Sequence, residues 1–200
     1  EYPHPAHAPA GGIGVFTKTL AQALINAGHQ ATVFLCLSDK NKEWHDNGIR
    51  IVQLKKETSK WNKLKNHLTI GKKINEYIRK LNISIIESAD WEGYHAFCKT
   101  KIPVVTRIHG SVTYFNYLEN KKNSPLMRFL EKRALKKSSA IVAVSRFAAE
   151  TTRNIFKTDH EISVIYNAVN IHTFQPSGIE PKISGVLYFG TLVRKKGACD

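Results

Sequence analysis

The chain has 200 residues, of which 42% are hydrophobic, enough for the core of one full α/β domain and too many for a disordered or fibrous protein. Thirty Lys and Arg against 16 Asp and Glu give a formal net charge of +14. That charge predicts an anionic partner, which could be nucleic acid, an acidic membrane face or a phosphorylated small molecule. The sequence contains no run of about 18 apolar residues, so no membrane-spanning segment is predicted.

Apolar periodicity predicts alternating helices and strands along most of the chain. Gly28 has the position of a glycine that ends a helix, and Pro125 that of a first-turn proline. The predicted elements, in chain order, are a helix over 13–27, strands over 31–37 and 49–54, a helix over 64–81, a strand over 83–87, a helix over 93–100, a strand over 103–108, a helix over 125–137, a strand over 140–144, a helix over 146–156 and a strand over 162–166.

This alternation predicts an α/β fold, a Rossmann-like doubly wound parallel sheet with right-handed crossovers. Residues 1–174 form the predicted domain, and the proline- and serine-containing segment 175–184 is the predicted linker. Residues 185–200 are expected to begin a second domain that is cut short. A short apolar strand is expected before Gly11, and residues 1–10 do not contain one.

The first predicted helix begins with Gly11, Gly12 and Gly14. A glycine-rich helix start leaves backbone N–H groups and the positive end of the helix dipole available to a phosphate. The spacing differs from G-x-G-x-x-G, which disfavours a nicotinamide cofactor. The alternative interpretation is a simple tight turn.

His109, Gly110 and Ser111 directly follow a predicted strand, where ligands of doubly wound sheets bind. An imidazole there can donate to a sugar hydroxyl, and Gly110 would let a ligand approach the backbone. The alternative for His109 is a structural histidine. Ser111 is predicted to be either a second ligand contact or a turn cap.

Asp90, Trp91 and Glu92 follow another predicted strand. Their carboxylates could hold acceptor hydroxyls, and an indole face commonly stacks on a sugar. The alternative is an exposed polar loop with a packed tryptophan. His4 and His7 have no partner at metal-ligand spacing, so no metal site is predicted.

Several short motifs occur in order at intervals typical of one enzyme family, and they span nearly the whole chain. They are Gly11-Gly12-Ile13-Gly14, Gly28-His29, His109-Gly110, Ala143-Val144-Ser145, Asn167-Ala168-Val169-Asn170 with Phe174 and Pro176, and Gly190-Thr191-Leu192 with Lys196-Gly197. Together they resemble the family 4 retaining glycosyltransferases of the GT-B architecture. The chain would then be the N-terminal half of such an enzyme.

The resemblance implies a role for each matching residue. His109 matches the catalytic histidine that contacts the transferred sugar, and Lys196 matches the lysine that neutralises the donor diphosphate. The implied donor-binding residues are Gly11, Gly12, Gly190, Thr191 and Lys196, and the proposed acceptor-binding residues are Asp90, Trp91, Glu92 and Ser111. Thr191 stands where many members carry Arg, and the family's paired glutamates are absent from this sequence.

The implied activity is transfer of a sugar from a nucleotide-sugar donor to a saccharide or lipid-linked acceptor, with retention of configuration and without a metal or other cofactor. The chain alone is expected to be inactive. One alternative is a non-catalytic nucleotide-binding Rossmann domain. The other is a basic nucleic-acid-binding module, which is disfavoured because the basic helices also carry apolar faces and no groove-reading motif is present.

An anionic membrane surface is a further expected partner. Ten Lys and Arg against two acids lie between Arg50 and Lys80, and seven against two between Leu118 and Lys137. The alternative is a solvated basic face, with Leu64 and Leu68 belonging to a core stripe together with Ile74 and Ile78. Three scattered cysteines favour a reducing compartment, so we expect a cytoplasmic location, peripheral on the inner face of the cell membrane.

Overall fold

The computed structural model describes residues 2–3, 10–38, 40–56, 63–171, 174–176, 178, 185, 188 and 190. Its contacts divide the chain into two units, Glu1–Tyr166 and Asn167–Asp200. The first unit contains all of the helices and strands given below. In the second, the Phe174 amide donates to the Asn170 carbonyl at 2.9 Å. Most of the predicted linker and second-domain start lies outside the described residues.

Helices and strands alternate through the first unit. The helices are α1 Gly12–Asn26, α2 Lys63–Lys80, α3 Val112–Leu118, α4 Pro125–Lys137 and α5 Arg146–Phe156. The strands are β1 Thr32–Ser38, β2 Lys42–Asp46, β3 Ile49–Lys55, β4 Ile86–Ala89, β5 Val104–Ile108, β6 Ala140–Ala143 and β7 Ile162–Val164. A 3₁₀ segment, Trp91–Phe97, joins β4 to β5.

The described strands form two sheets. One has four strands in the order β4-β5-β6-β7, all parallel, as predicted for a Rossmann-like fold. The other has the order β1-β3-β2, in which β1 and β3 are parallel and β2 is antiparallel to β3. The parallel α/β architecture is therefore confirmed, and β2 adds an antiparallel strand that was not predicted.

Strand β3 is buried on both faces, which places α1 and α2 on opposite sides of its sheet. Ile49 and Ile51 share an apolar cluster with Ala21 of α1. Val52 and Leu54 alternate to the other face and pack with Ile70 and Ile74 of α2. Because side chains alternate along a strand, apolar residues at both odd and even positions require cover on both faces.

The core of the four-stranded sheet lies against α5. Ile108, Ile141 and Ala143 pack there with Ala148 and Phe156, and Phe156 is only 1% exposed. The helix begins at Ser145, whose hydroxyl accepts the Ala148 amide at 3.1 Å. This cap explains why the chain turns at the end of β6 and packs back on the sheet.

Two elements that were not predicted and one shifted strand start each have a local reason. Strand β2 was missed although Asn47-Gly48, both at positive φ, form the hairpin turn after it. Helix α3 was missed because its β-branched and aromatic residues have low helix propensity. Strand β4 starts later than predicted, because the Ile83 amide donates to the Ile78 carbonyl and closes the end of α2.

Candidate functional site

The N-terminal end of α1 meets the carboxyl end of β5. Phe16, in the second turn of α1, packs edge-on against His109 with ring centroids 4.9 Å apart. Gly11 and Gly12, which begin this helix, are exposed. The predicted glycine loop and the predicted catalytic histidine are therefore neighbours, as expected for the ligand-binding edge of a doubly wound sheet.

Arg107 fixes this junction from beneath. Its guanidinium lies over the Phe16 ring, 4.8 Å from the centroid, and donates to both carboxylate oxygens of Glu87 at 2.8 and 3.2 Å. Since the guanidinium is planar and makes two hydrogen bonds to Glu87 of β4, it holds Phe16 and β4 in one orientation. Phe16 thus lies between Arg107 and His109.

His109 is half-buried and uncharged near neutral pH. Burial and, to a smaller extent, the Arg107 charge lower the pKa of the imidazole to about 4, and Glu87 opposes both. Within the described part of the chain, neither ring nitrogen has a hydrogen-bond partner. A neutral imidazole can donate from one nitrogen and accept at the other, so His109 is suited to contact a polar ligand.

Asp90 holds the backbone that carries His109. Its carboxylate is 4% exposed and accepts the His109 N–H at 3.0 Å and the Gly110 N–H at 3.2 Å. The pKa of this carboxyl is raised to about 7, because burial and nearby Glu131 raise it by more than the two N–H groups lower it. Both oxygens are occupied, so the structure gives Asp90 a positioning role instead of the predicted contact with acceptor hydroxyls.

Glu131 of α4 also holds the loop that carries His109. It is 1% exposed, and its two carboxylate oxygens accept the N–H groups of Val112 and Thr113 at 2.9 and 3.1 Å. These are first-turn amides of α3, which have no partner within the helix. Burial raises the pKa of Glu131, an effect opposed by its hydrogen bonds. Sequence reasoning missed this residue, because nothing local to α4 indicates that it reaches the His109 loop.

Ser111 acts as a cap, which was one of its two predicted roles. Its side chain is buried, and its hydroxyl accepts the Tyr114 amide at 3.2 Å at the start of α3. Gly110 lies beside it at a φ of +113°, and a Cβ there would lie 2.8 Å from the Phe115 ring. The glycine is therefore required by backbone conformation and by close packing on the side facing α3.

Trp91 and Glu92 are the accessible part of the predicted acceptor triplet. Trp91 is 38% exposed and its ring lies 6.3 Å from that of Phe115. Glu92 is at a φ of +56°, accepts a hydrogen bond from Tyr94 and lies 3.7 Å from the Lys63 ammonium. A positive φ is strained for glutamate, and such strain is concentrated at ligand sites.

The remaining predicted residues divide between described and undescribed positions. Among the described residues, an added Cβ on Gly12 would meet no other residue's atom within 4 Å. Gly190 is described but belongs to the second unit. Thr191 and Lys196, together with His4 and His7, lie outside the described residues. Phe16 and Arg107 were not predicted, and their contacts are formed only in the tertiary structure.

The sequence also matches a family model described as Glycosyltransferase Family 4, over residues 10–173. The chain belongs to this family. The matched residues include both sides of the junction described above, from the glycine loop of α1 to the His109 loop. No curated protein is similar enough to match the chain.

A solved structure supports the same fold. The chain is similar to a glycosyltransferase from Rickettsia africae ESF-5, with a TM-score of 0.57 and 22% sequence identity. The match covers 86% of this chain and 44% of the Rickettsia chain, so the chain spans less than half the length of that protein. At this identity the likeness shows the Rossmann-like glycosyltransferase fold.

Proposed function

We propose that this chain forms the acceptor side of a retaining glycosyltransferase that transfers a sugar from a nucleotide-sugar donor to a hydroxyl acceptor. One observation carries the proposal. His109 is a neutral imidazole without a hydrogen-bond partner among the described residues, and it packs beside the helix that begins with Gly11 and Gly12. Membership of family 4 supports glycosyl transfer, and retention of configuration rests on the motif resemblance.

The proposed reaction is a front-face displacement. The bond from the anomeric carbon to the leaving phosphate oxygen breaks, and a bond to the acceptor oxygen forms on the same face. The acceptor proton passes to a phosphate oxygen, which leaves a nucleoside diphosphate and the glycoside. His109 accepts a hydrogen bond from a hydroxyl of the transferred sugar at its unprotonated ring nitrogen, a contact that strengthens as positive charge develops on the sugar ring.

The donor diphosphate is proposed to bind without a metal. Gly11 and Gly12 permit close approach to the N-terminus of α1, whose dipole favours negative charge. Gly190, Thr191 and Lys196 are the proposed donor contacts of the second unit, and the Lys196 ammonium would neutralise the diphosphate. The arrangement requires no cofactor beyond the sugar nucleotide, which is a substrate.

For the acceptor, a saccharide or lipid-linked sugar, we propose contacts with the exposed Trp91 indole and with Glu92. Asp90 and Ser111 act on the acceptor site through the backbone of the His109 loop. The product class would be a polysaccharide, glycan or glycolipid. We propose a cytoplasmic location at the inner face of the cell membrane, with no nucleic-acid partner.

The direct test is a transfer assay on the full-length protein with a panel of nucleotide sugars. The expected product retains the anomeric configuration, and His109→Ala lowers kcat on the order of a hundredfold while nucleotide binding persists. The 200-residue chain alone should show no transfer. Nucleotide binding without transfer of any sugar would favour a non-catalytic Rossmann domain and contradict the proposal.

A second test addresses the diphosphate contact. Lys196→Ala should weaken binding of a nucleoside diphosphate about tenfold or more, because a charge-assisted contact contributes roughly 1.5–3 kcal/mol. Binding of the free nucleoside should change little. Equal losses for both ligands in calorimetry would show that Lys196 does not contact phosphate.

A further inference from the structure

Helices α2 and α4 lie side by side on one face of the protein, separated only by the 3₁₀ segment. Gly71 of α2 backs onto this segment so closely that a Cβ would lie 2.8 Å from the Phe97 carbonyl oxygen. On the other side, a Cβ on Gly93 would lie 2.7 Å from the Leu130 carbonyl oxygen of α4, and Arg133 donates to the Ala96 carbonyl at 3.0 Å. We call these three elements the basic layer.

The basic layer presents a dense positive charge to solvent. Its two helices carry eleven Lys and Arg against two acids, Glu76 and Glu131. Glu76 is exposed and paired with Lys73 at 3.0 Å, so it offsets one of these charges, whereas Glu131 is buried. Five of the basic side chains make no hydrogen bond, ion pair or ring contact with any described residue. These are Lys65, Lys72, Arg79, Lys132 and Lys136.

Large apolar side chains are exposed among these charges. Leu64 and Leu68 of α2 are 41% and 43% exposed, and Leu126 and Phe129 of α4 are 37% and 53% exposed. They are not part of the stripes that hold the helices to the protein, which are formed by residues such as Ile70, Ile74, Met127 and Leu130. Leu64 and Leu68 therefore do not belong to the core stripe that the sequence allowed.

The exposed apolar residues are concentrated at one end of the layer. All four lie in the first two turns of their helices. Both helices end at the amino edge of the strands, since α2 leads into β4 and the Ser139 amide after α4 donates to the Val104 carbonyl at the start of β5. Their first turns therefore lie toward the carboxyl edge, where Trp91 begins the 3₁₀ segment and the acceptor site is proposed.

We propose that the basic layer docks on an anionic lipid bilayer, with Leu64, Leu68, Leu126 and Phe129 entering the interface beside the acceptor site. Lysines that surround exposed aliphatic and aromatic side chains are complementary to a surface with anionic headgroups above an apolar interior. Nucleic acid would bind the basic side chains, but its binding would not explain the exposed leucines. An acceptor anchored in the same bilayer would then reach the carboxyl edge without leaving the membrane.

Co-sedimentation with vesicles tests the proposal. The chain should pellet with vesicles that contain phosphatidylglycerol, remain in the supernatant with pure phosphatidylcholine, and dissociate as salt rises through physiological strength. Each basic residue near an anionic leaflet contributes roughly a fivefold gain in partitioning. Lys65→Glu with Lys132→Glu should therefore reduce partitioning by at least about tenfold.

Two matched controls separate the surface from net charge and from general hydrophobicity. Lys40→Glu with Arg153→Glu makes the same charge change outside the layer and should retain most of the binding. Leu68→Gln with Phe129→Gln should weaken binding, whereas Ile85→Gln, at an exposed position outside the layer, should not. All of these side chains are at least partly exposed, so an unchanged melting temperature confirms that each variant is folded.

Three results would overturn the proposal. One is equal binding to anionic and neutral vesicles, and another is equal loss in the layer variant and its charge control. The third is a duplex DNA or RNA that binds through Lys65 and Lys132 more tightly than the vesicles do at the same salt. Only the access of a membrane-anchored acceptor to the carboxyl edge rests on the proposed function. Because vesicle binding needs no donor, failure here would leave the transferase proposal standing, and the reverse also holds.

Discussion

The carboxylate of Asp90 accepts the backbone N–H of His109 at 3.0 Å, across a separation of 19 residues. This contact joins the end of β4 to the end of β5. It also sets the position of the His109 imidazole, whose ring nitrogens have no hydrogen-bond partner among the described residues. The second oxygen accepts the Gly110 N–H. A buried carboxylate thereby positions the proposed catalytic residue through its backbone.

Asp90→Asn should change how stability depends on pH. The pKa of Asp90 rises from 3.8 to about 7 on folding, so between these values the folded state holds more protons than the unfolded state. The Asp90 contribution is therefore present in full below about pH 4 and is lost as pH rises to about 7, at no more than about 1.4 kcal/mol per pH unit. Urea unfolding of both proteins across this range measures the difference.

The difference in free energy of unfolding, wild type minus Asp90→Asn, should fall as pH rises. Taking the difference removes the contributions of His95 and His109, whose lowered pKa values act in the same range with the opposite sign. A difference that stays constant between pH 4 and 7 would show that Asp90 remains charged throughout, held by its two amide donors.

His109 should titrate far below an ordinary histidine. Its pKa falls from 6.5 to about 4, first because of burial and then because of Arg107. Protonation of His109 therefore favours the unfolded chain. Stability should fall as pH drops from 6.5 toward 4. NMR of the imidazole C2 proton gives the midpoint directly.

Arg107→Gln is the matched variant for this titration. It removes the positive charge near His109 and should therefore raise the midpoint. A wild-type midpoint near 6.5 would mean that the ring is solvated and charged in mildly acidic solution, contrary to its half-buried position.

Glu131→Gln should destabilise the protein and loosen the start of α3. The amide side chain retains one acceptor, so either Val112 or Thr113 loses its partner, at a cost of about 1–3 kcal/mol. Chemical denaturation measures the stability, and amide hydrogen exchange at 112 and 113 should quicken selectively. Glu150→Gln on the exposed face of α5 serves as the control and should be neutral.

Two glycine substitutions should separate folding from ligand binding. Gly110→Ala should cost at least about 2 kcal/mol, because its φ of +113° disfavours a side chain and the added Cβ would overlap Phe115. The methyl group of Gly12→Ala would meet no other described residue within 4 Å, so the protein should be as stable as the wild type or slightly more so.

Gly12→Ala in the full-length protein should nevertheless weaken binding of the donor nucleotide, because its methyl group would enter the space proposed for the diphosphate. Thermal unfolding and nucleotide calorimetry on the same variant provide both readings. Unchanged nucleotide affinity would return the glycine loop to its alternative interpretation as a tight turn.

The sequence by itself determined the parallel α/β fold, the positions of most elements and the place of His109 at the end of a strand. Local information is sufficient for these features, because the apolar pattern of a strand such as 49–54 records burial on both faces. The hairpin around β2 was also predictable, since Asn47-Gly48 is a strong local turn signal that went unused.

Only the tertiary structure decided what the polar residues of the site do. Asp90 and Glu131 could equally have faced a ligand, and their burial against backbone N–H groups depends on β4, β5 and α4 coming together. The same holds for Leu64 and Leu68, whose helical spacing is compatible with either side of α2. Periodicity specifies which residues share a face, whereas packing against the neighbouring segment determines which face is buried and which carboxylate is partnered.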